Sequence, residues 1–193
     1  MDARIDYINS EMQGVAEDAK ATFSGLSLDQ LNWKPDEKSW SVAQCLEHLI
    51  RSNIEFDDEW PKLLAGTRKN STLENWSPLT GFLGRLLISS LQKDSRKTKA
   101  PSKSIVPPSE VEPGIVERFV ANIEETNRKI AGCEGVDLQK TVLTSPFMKL
   151  ITYRLDDAFS ILVEHSKRHI RQAKRVIDAD GFPKSEPPAA AAG

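Results

Sequence analysis

Three histidines occur in this 193-residue chain: His48, His165 and His169. Two stand four apart in His165-Ser166-Lys167-Arg168-His169, so on a helix their side chains leave one face a single turn apart. That face is apolar, shared by Leu155, Ala158, Leu162, Ala173 and Val176. Imidazoles in a core lose hydration unless both ring nitrogens find partners, and a metal ion is an efficient partner. His48 lies on the flank of a second apolar stripe, on the side of Cys45 and Ser52. If the two segments are neighbours, His48 approaches the pair from across the interior. Three imidazoles with a further position open form a catalytic zinc arrangement, and the same ligands suit nickel, iron or copper. Spacing alone leaves a plainer reading open: one buried histidine bonded to backbone, and a pair at a surface seam. Cys45, three residues before His48, reads as a fourth ligand or as a small buried thiol. Gln172, one turn beyond His169, reads as a ligand-orienting group or as a boundary glutamine.

Other chemistries are excluded by what the motifs lack. The His165–His169 pair has no Glu after its first histidine, so it is not the HExxH helix of zinc peptidases. No Glu stands three residues before any histidine, which removes the Glu-x-x-His pattern of di-iron bundles. There is no GxSxG, P-loop or dinucleotide fingerprint.

Four segments must position these residues, each with apolar side chains three or four apart. The first runs from Ile5 through Met12 and Phe23 to Leu26. The second opens at Ser41 with Gln44 as a capping box, and its stripe continues Val42, Leu46, Leu49, Phe56, Trp60 and Leu63. The third is expected to begin at a Ser109/Glu112 box and to end near Gly132. The fourth starts at Thr152 and stops at Gly181 and Pro183. No segment of comparable length alternates like a strand. The expected fold is all-α, a four-helix bundle. About 44 residues separate helices two and three, far beyond the usual 2 to 8, so a long crossover gives up-down-down-up order. A single domain over 1–182 is predicted, with the crossover at 66–109. Within it, Phe82, Leu83, Leu86, Leu87 and Leu91 predict a short helix laid on the bundle by its apolar side. Lys93 to Lys103 reads as a solvated basic loop or, alternatively, as a contact for an anionic substrate or partner, and 183–193, rich in Pro and Ala, as a disordered tail.

Lys and Arg total 26 against 28 Asp and Glu, a net charge of −2. A nucleic-acid binder carries a basic excess, so that partner is not expected. No apolar run nears the roughly 20 residues that span a bilayer, and Met1 to Asp6 lacks the apolar core of a secretory signal. Two cysteines make no disulfide framework, so a reducing cytoplasm is the expected location.

Trp40-Ser41-Val42-Ala43-Gln44-Cys45-Leu46-Glu47-His48-Leu49 resembles the helix-two signature of the DinB superfamily of metalloenzymes. The H-x-x-x-H-x-x-Q of His165 to Gln172 resembles that family's last helix, and Asn32-Trp33-Lys34-Pro35 its first loop. The resemblance covers most of residues 1 to 180. It implies an up-down-down-up bundle with one divalent metal, zinc or nickel, held by His48, His165 and His169. It also implies activities such as thiol S-transfer or thiol-dependent isomerisation, and no DNA binding.

The expected function is therefore a metal-dependent enzyme that transfers a small cellular thiol to an electrophile, with a homodimer allowed. An all-imidazole ligand set leaves the ion its full charge, and a thiol of pKa about 8.5 ionises more readily than water. Hydrolysis would want a carboxylate beside the pair, and Glu164 points about 100° away. A carboxylate from another helix would restore a hydrolase. A fourth protein ligand would instead close the site and leave a non-catalytic metal-binding or dimerisation bundle. Metal affinity is expected to fall as pH drops through roughly 6.5.

Overall fold

The computed structural model describes residues 2–93 and 102–184. It is mostly helical, with one small two-stranded sheet. Helix α1 (Ala3–Phe23) is capped by Asp2, whose carboxylate accepts the Arg4 N–H at 2.8 Å. It buries Ile5, Ile8, Met12, Val15, Ala19 and Phe23, the three-four spacing of one face. A short α2 (Leu28–Asn32) follows on a Ser27/Gln30 capping box. The expected Ser41/Gln44 box opens α3 (Val42–Ile54), in which Val42 through Leu49 are all buried.

The second helix does not run to Leu63 unbroken. It stops at Ile54, turns through 55–59 and resumes as α4 (Trp60–Leu64). Pro61 explains the break, because its ring has no N–H and clashes with the carbonyl four residues back. Phe56, Trp60 and Leu63 stay in the core all the same. Next come α5 (Thr72–Trp76) and α6 (Thr80–Gln92), both inside the crossover.

Helix α7 (Ile115–Ala131) also starts later than the sequence suggested. The Ser109/Glu112 box does not cap it. Pro113 precedes Gly114, which takes φ 77° as the N-cap, a left-handed conformation that glycine adopts without penalty. Nor does the last helix begin at Thr152. Thr152–Arg154 forms β2, paired antiparallel with β1 (Val142–Thr144) in the register Leu143 opposite Tyr153. β-Branched and aromatic residues favour that pleat, and Tyr153 and Leu143 bury its inner face. α8 (Leu155–Ile177) then continues directly from the strand.

The core is built where α1 packs on α7 and α8, and α3 packs on the same two helices. α8 also carries α6 on its other side. The return of the crossover lies over the start of α3. Gln44 Nε2 donates to the Pro108 carbonyl at 2.7 Å, and Asn32 exchanges two hydrogen bonds with the Val111 backbone at 3.0 and 2.9 Å. Most of the predicted basic loop, residues 94–101, and residues 185–193 of the predicted tail lie outside the described residues. Pro183 is held: its carbonyl accepts from Gln30 Nε2 at 2.8 Å. Among the described residues no helix is long and apolar enough to cross a membrane.

Helix α6 lies on α8 as expected, with Leu83, Leu87 and Leu91 half-buried and Leu87 against the core, but two of the five expected apolar residues do not face the bundle. Thr80 and Gly84 are its buried residues, while Phe82 and Leu86 face outward. Gly84 permits this approach, since a Cβ there would lie 2.5 Å from Asp157 Oδ2 and 2.8 Å from Asp157 Cβ. The Asp157 Oδ2 atom is itself buried without a hydrogen-bond partner, and burial raises this carboxyl's pKa. A methyl group at position 84 cannot be relieved by turning the Asp157 tip alone. Gly84→Ala is therefore expected to cost about 1–3 kcal/mol, read as a lower midpoint in thermal unfolding. Gly14→Ala, in mid-α1 with nothing within 4 Å, is expected to raise it. Equal midpoints for the two variants would contradict the close α6–α8 contact.

Candidate metal centre

The contact between α3 and α8 brings all three histidines together. One nitrogen from each of His48, His165 and His169 lies within 4.8 Å of the other two. His48 Nε2 and His165 Nε2 are 3.1 Å apart. Two ligands bound at 2.0–2.1 Å to a tetrahedral ion stand about 3.3 Å apart, so this pair is close to coordinating separation. The rings meet edge to face, with centroids 5.0 Å apart for His48–His165, 4.5 Å for His48–His169 and 4.7 Å for His165–His169. Edge-on packing lets nitrogen atoms converge, where parallel stacking would hold them apart.

Backbone fixes one of the rings. His48 Nδ1 lies 2.7 Å from the Ile105 carbonyl, which can only accept, so Nδ1 carries the proton. In a neutral ring that leaves Nε2 with its lone pair toward the other two histidines. The Ile105 carbonyl belongs to the returning crossover, which Gln44 anchors at Pro108 and Asn32 at Val111. Sequence reading had no means of finding it, because a backbone acceptor has no side-chain signature.

Burial keeps the rings uncharged. It lowers the His48 pKa, against a smaller opposing effect of the Ile105 hydrogen bond. His165 is lowered to about 3, first by burial and then by the positive charges of His48 and Arg168. His169 is held well below the ordinary value by burial first, then by the same kind of repulsion. Neutral imidazoles are the form that binds metal. His165 and His169 nevertheless retain partial solvent exposure, so the group is not sealed.

His169 provides a test of fit. Its Nδ1 is buried with no hydrogen-bond partner, an expense that a cation or its ligand shell would remove. Gln172 reaches His169 from the next turn, and its side chain favours the protonated ring. The donor set, three neutral imidazoles, suits a divalent transition metal.

Cys45 does not join the group. It is fully buried, and burial pushes its thiol up to about 12, so it reads as a packed apolar residue. Among the described residues no Asp, Glu or Cys groups with the three nitrogens. Glu47, next to His48 in sequence, is turned to Arg51 at 2.8 Å and Arg118 at 3.3 Å. Trp40 covers two of the rings, 4.8 Å from His48 and stacked on His169 at 5.7 Å with 28° between planes. The other aromatic residues at helix ends lie elsewhere: Trp33 meets Phe182 edge-on, and Tyr153 is buried in β2.

The family model of the DinB superfamily matches residues 11–173 and so spans α3 and most of α8 with all three histidines. No curated protein and no solved structure matches.

Proposed function

The chain belongs to the DinB superfamily, and from that membership and its converged histidines we propose a metal-dependent enzyme that transfers a small thiol to an electrophile. The proposed scaffold is a four-helix bundle of α1, α3, α7 and α8 in up-down-down-up order. His48, His165 and His169 would hold the ion, with zinc or nickel proposed from the family resemblance among the metals that imidazoles suit. Once bound, a divalent ion supplies Lewis acidity that favours the ionised form of a thiol.

The remaining work falls to the chain. The Ile105 carbonyl holds the His48 Nδ1 proton and so keeps Nε2 available. Burial keeps all three rings neutral at physiological pH. Trp40 shields His48 and His169 from water on one side. Gln172 supports the orientation of His169 from the neighbouring turn. A reducing cytoplasm, which keeps Cys45 and Cys133 as thiols, is the proposed setting.

The observation that carries the reading is a three-nitrogen group that no described carboxylate joins. Water activation normally uses a carboxylate to manage the proton. A thiol needs less help, because its own pKa lies much nearer neutrality. The absence of Cys45 from the group favours an accessible centre over a closed, structural one.

The test is to incubate metal-loaded protein with a model electrophile and a panel of low-molecular-weight thiols. Rate enhancement is expected only with both metal and thiol, and is expected to disappear in His169→Ala. Metal-dependent turnover without any thiol would replace this reading with a hydrolase. No turnover on either panel would leave a metal-binding module.

A further inference from the structure

Helix α6 is apolar on two opposite sides, and only one is used among the described residues. Thr80 and Gly84 meet α8, while Phe82 and Leu86, four apart, point the other way at 57% and 53% exposure. Leu73 at 44% and Trp76 at 83% on α5, and Leu79 at 52% as the N-cap of α6, are exposed apolar side chains on the segment that leads into it. A helix that is apolar all round is normally covered all round. We propose that this outer face is an isologous homodimer interface, with α6 packed against α6 of a second copy.

Area supports a second copy as the occupant. At their exposed fractions, these five side chains offer on the order of 500 Å² of apolar surface. A standard interface takes about 800 Å² from each partner, of which about 65% is apolar in homodimers. The two quantities agree. A two-fold axis across α6 would set Phe82 of one copy beside Leu86 of the other, so the surface is its own complement. Trp76, the most exposed large side chain of the five, is also the residue type most enriched in interface hot spots.

Other occupants fit less well. Residues 94–101 and 185–193 contain Ala and Pro as their only apolar residues, so neither stretch can cover a Trp, a Phe and three Leu. A membrane-surface helix carries a Lys- and Arg-rich polar face, whereas Arg85 is the sole charged residue of α6. The proposal uses none of the histidine chemistry and stands or falls apart from it.

Sedimentation velocity on the full chain between about 1 and 100 μM measures the state directly. A species of twice the 21.5 kDa chain mass is expected. Phe82→Glu/Leu86→Glu should raise the dissociation constant at least about 100-fold, the scale of losing hot-spot side chains. Tyr7→Glu/Leu28→Glu, exposed residues on other elements, should leave the dimer intact. Circular dichroism checks folding; if the double variant unfolds, Trp76→Glu on α5 repeats the test without touching α6. A wild-type monomer at 100 μM would overturn the proposal, as would a dimer that survives the folded interface variants. Binding of a monomeric wild type to anionic vesicles would likewise overturn it, in favour of a membrane surface.

Discussion

Protein with alanine at both His165 and His169 is expected to lose its metal, with affinity falling by about 100-fold or more. The wild type, purified without an affinity tag, should carry close to one divalent ion per chain by elemental analysis. The size of the effect follows from the arrangement. Changing even the groups that orient metal ligands costs 10–100-fold in known sites, and this variant removes two of the three nitrogen donors. No other His, Cys, Asp or Glu among the described residues stands ready to replace them. Both residues retain partial exposure on one helix face, so their removal should leave α8 folded. His48→Ala should also lose metal, but it strands the Ile105 carbonyl and so mixes binding with stability. The double variant is the cleaner experiment. Full occupancy in a folded double variant would refute the three-histidine site.

What could be read in advance was local in origin. The Ser41/Gln44 box is a four-residue event, and it opens α3 where the sequence places it. The His165–His169 spacing needs only helical geometry to put both rings on one face. The elements that shifted are those where a local signal was outweighed by another nearby. Pro61 interrupts an apolar stripe that otherwise reads as one helix, and Pro113-Gly114 overrides the Ser109/Glu112 box. Thr152 and Tyr153 continue the helical period of α8 yet pair with Thr144 and Leu143 in a short ladder that buries Tyr153. The orientation of α6 turned on one glycine against Asp157, a contact some seventy residues away in sequence. At the candidate site, residue types and spacing singled out the three histidines that group, but the carbonyl that holds His48 comes from the crossover. Trp40 stands in the sequence just before the Ser41 cap of α3. That it covers two imidazoles as well as packing on the core depends on how α3 meets α8.

Chelation of the metal-loaded protein at pH 7.5 is expected to lower its thermal midpoint by roughly 5–10 °C. A ligand that binds only the folded state stabilises it by about 2.7 kcal/mol when its free concentration is 100 times the dissociation constant. For a chain of this size each kcal/mol moves the midpoint by about 2–4 °C. The ion would tie α3 to α8 through residues 117 positions apart in the chain, a link that the unfolded chain does not hold. Acid should act on the metal-free protein through the same rings. Their folded-state pKa values lie below the ordinary value near 6.5, that of His165 at about 3. Between those limits the unfolded chain takes up protons that the folded chain refuses, so this stability is complete above 6.5 and is lost as pH falls toward 3. In the folded protein, protons compete with metal only near the lowered values. The decline in affinity that ordinary imidazoles would show near pH 6.5 is thus expected at lower pH. Scanning calorimetry of loaded and chelated protein from pH 7.5 to 4.5 measures both effects. The His165→Ala/His169→Ala variant separates them from the carboxylates that also titrate in acid. It should lose the metal-dependent gain and lose stability less steeply than the metal-free wild type below pH 6.5. A wild-type midpoint indifferent to chelation, or an acid slope identical in the two proteins, would show that the rings neither clamp α3 to α8 nor stay uncharged in the fold.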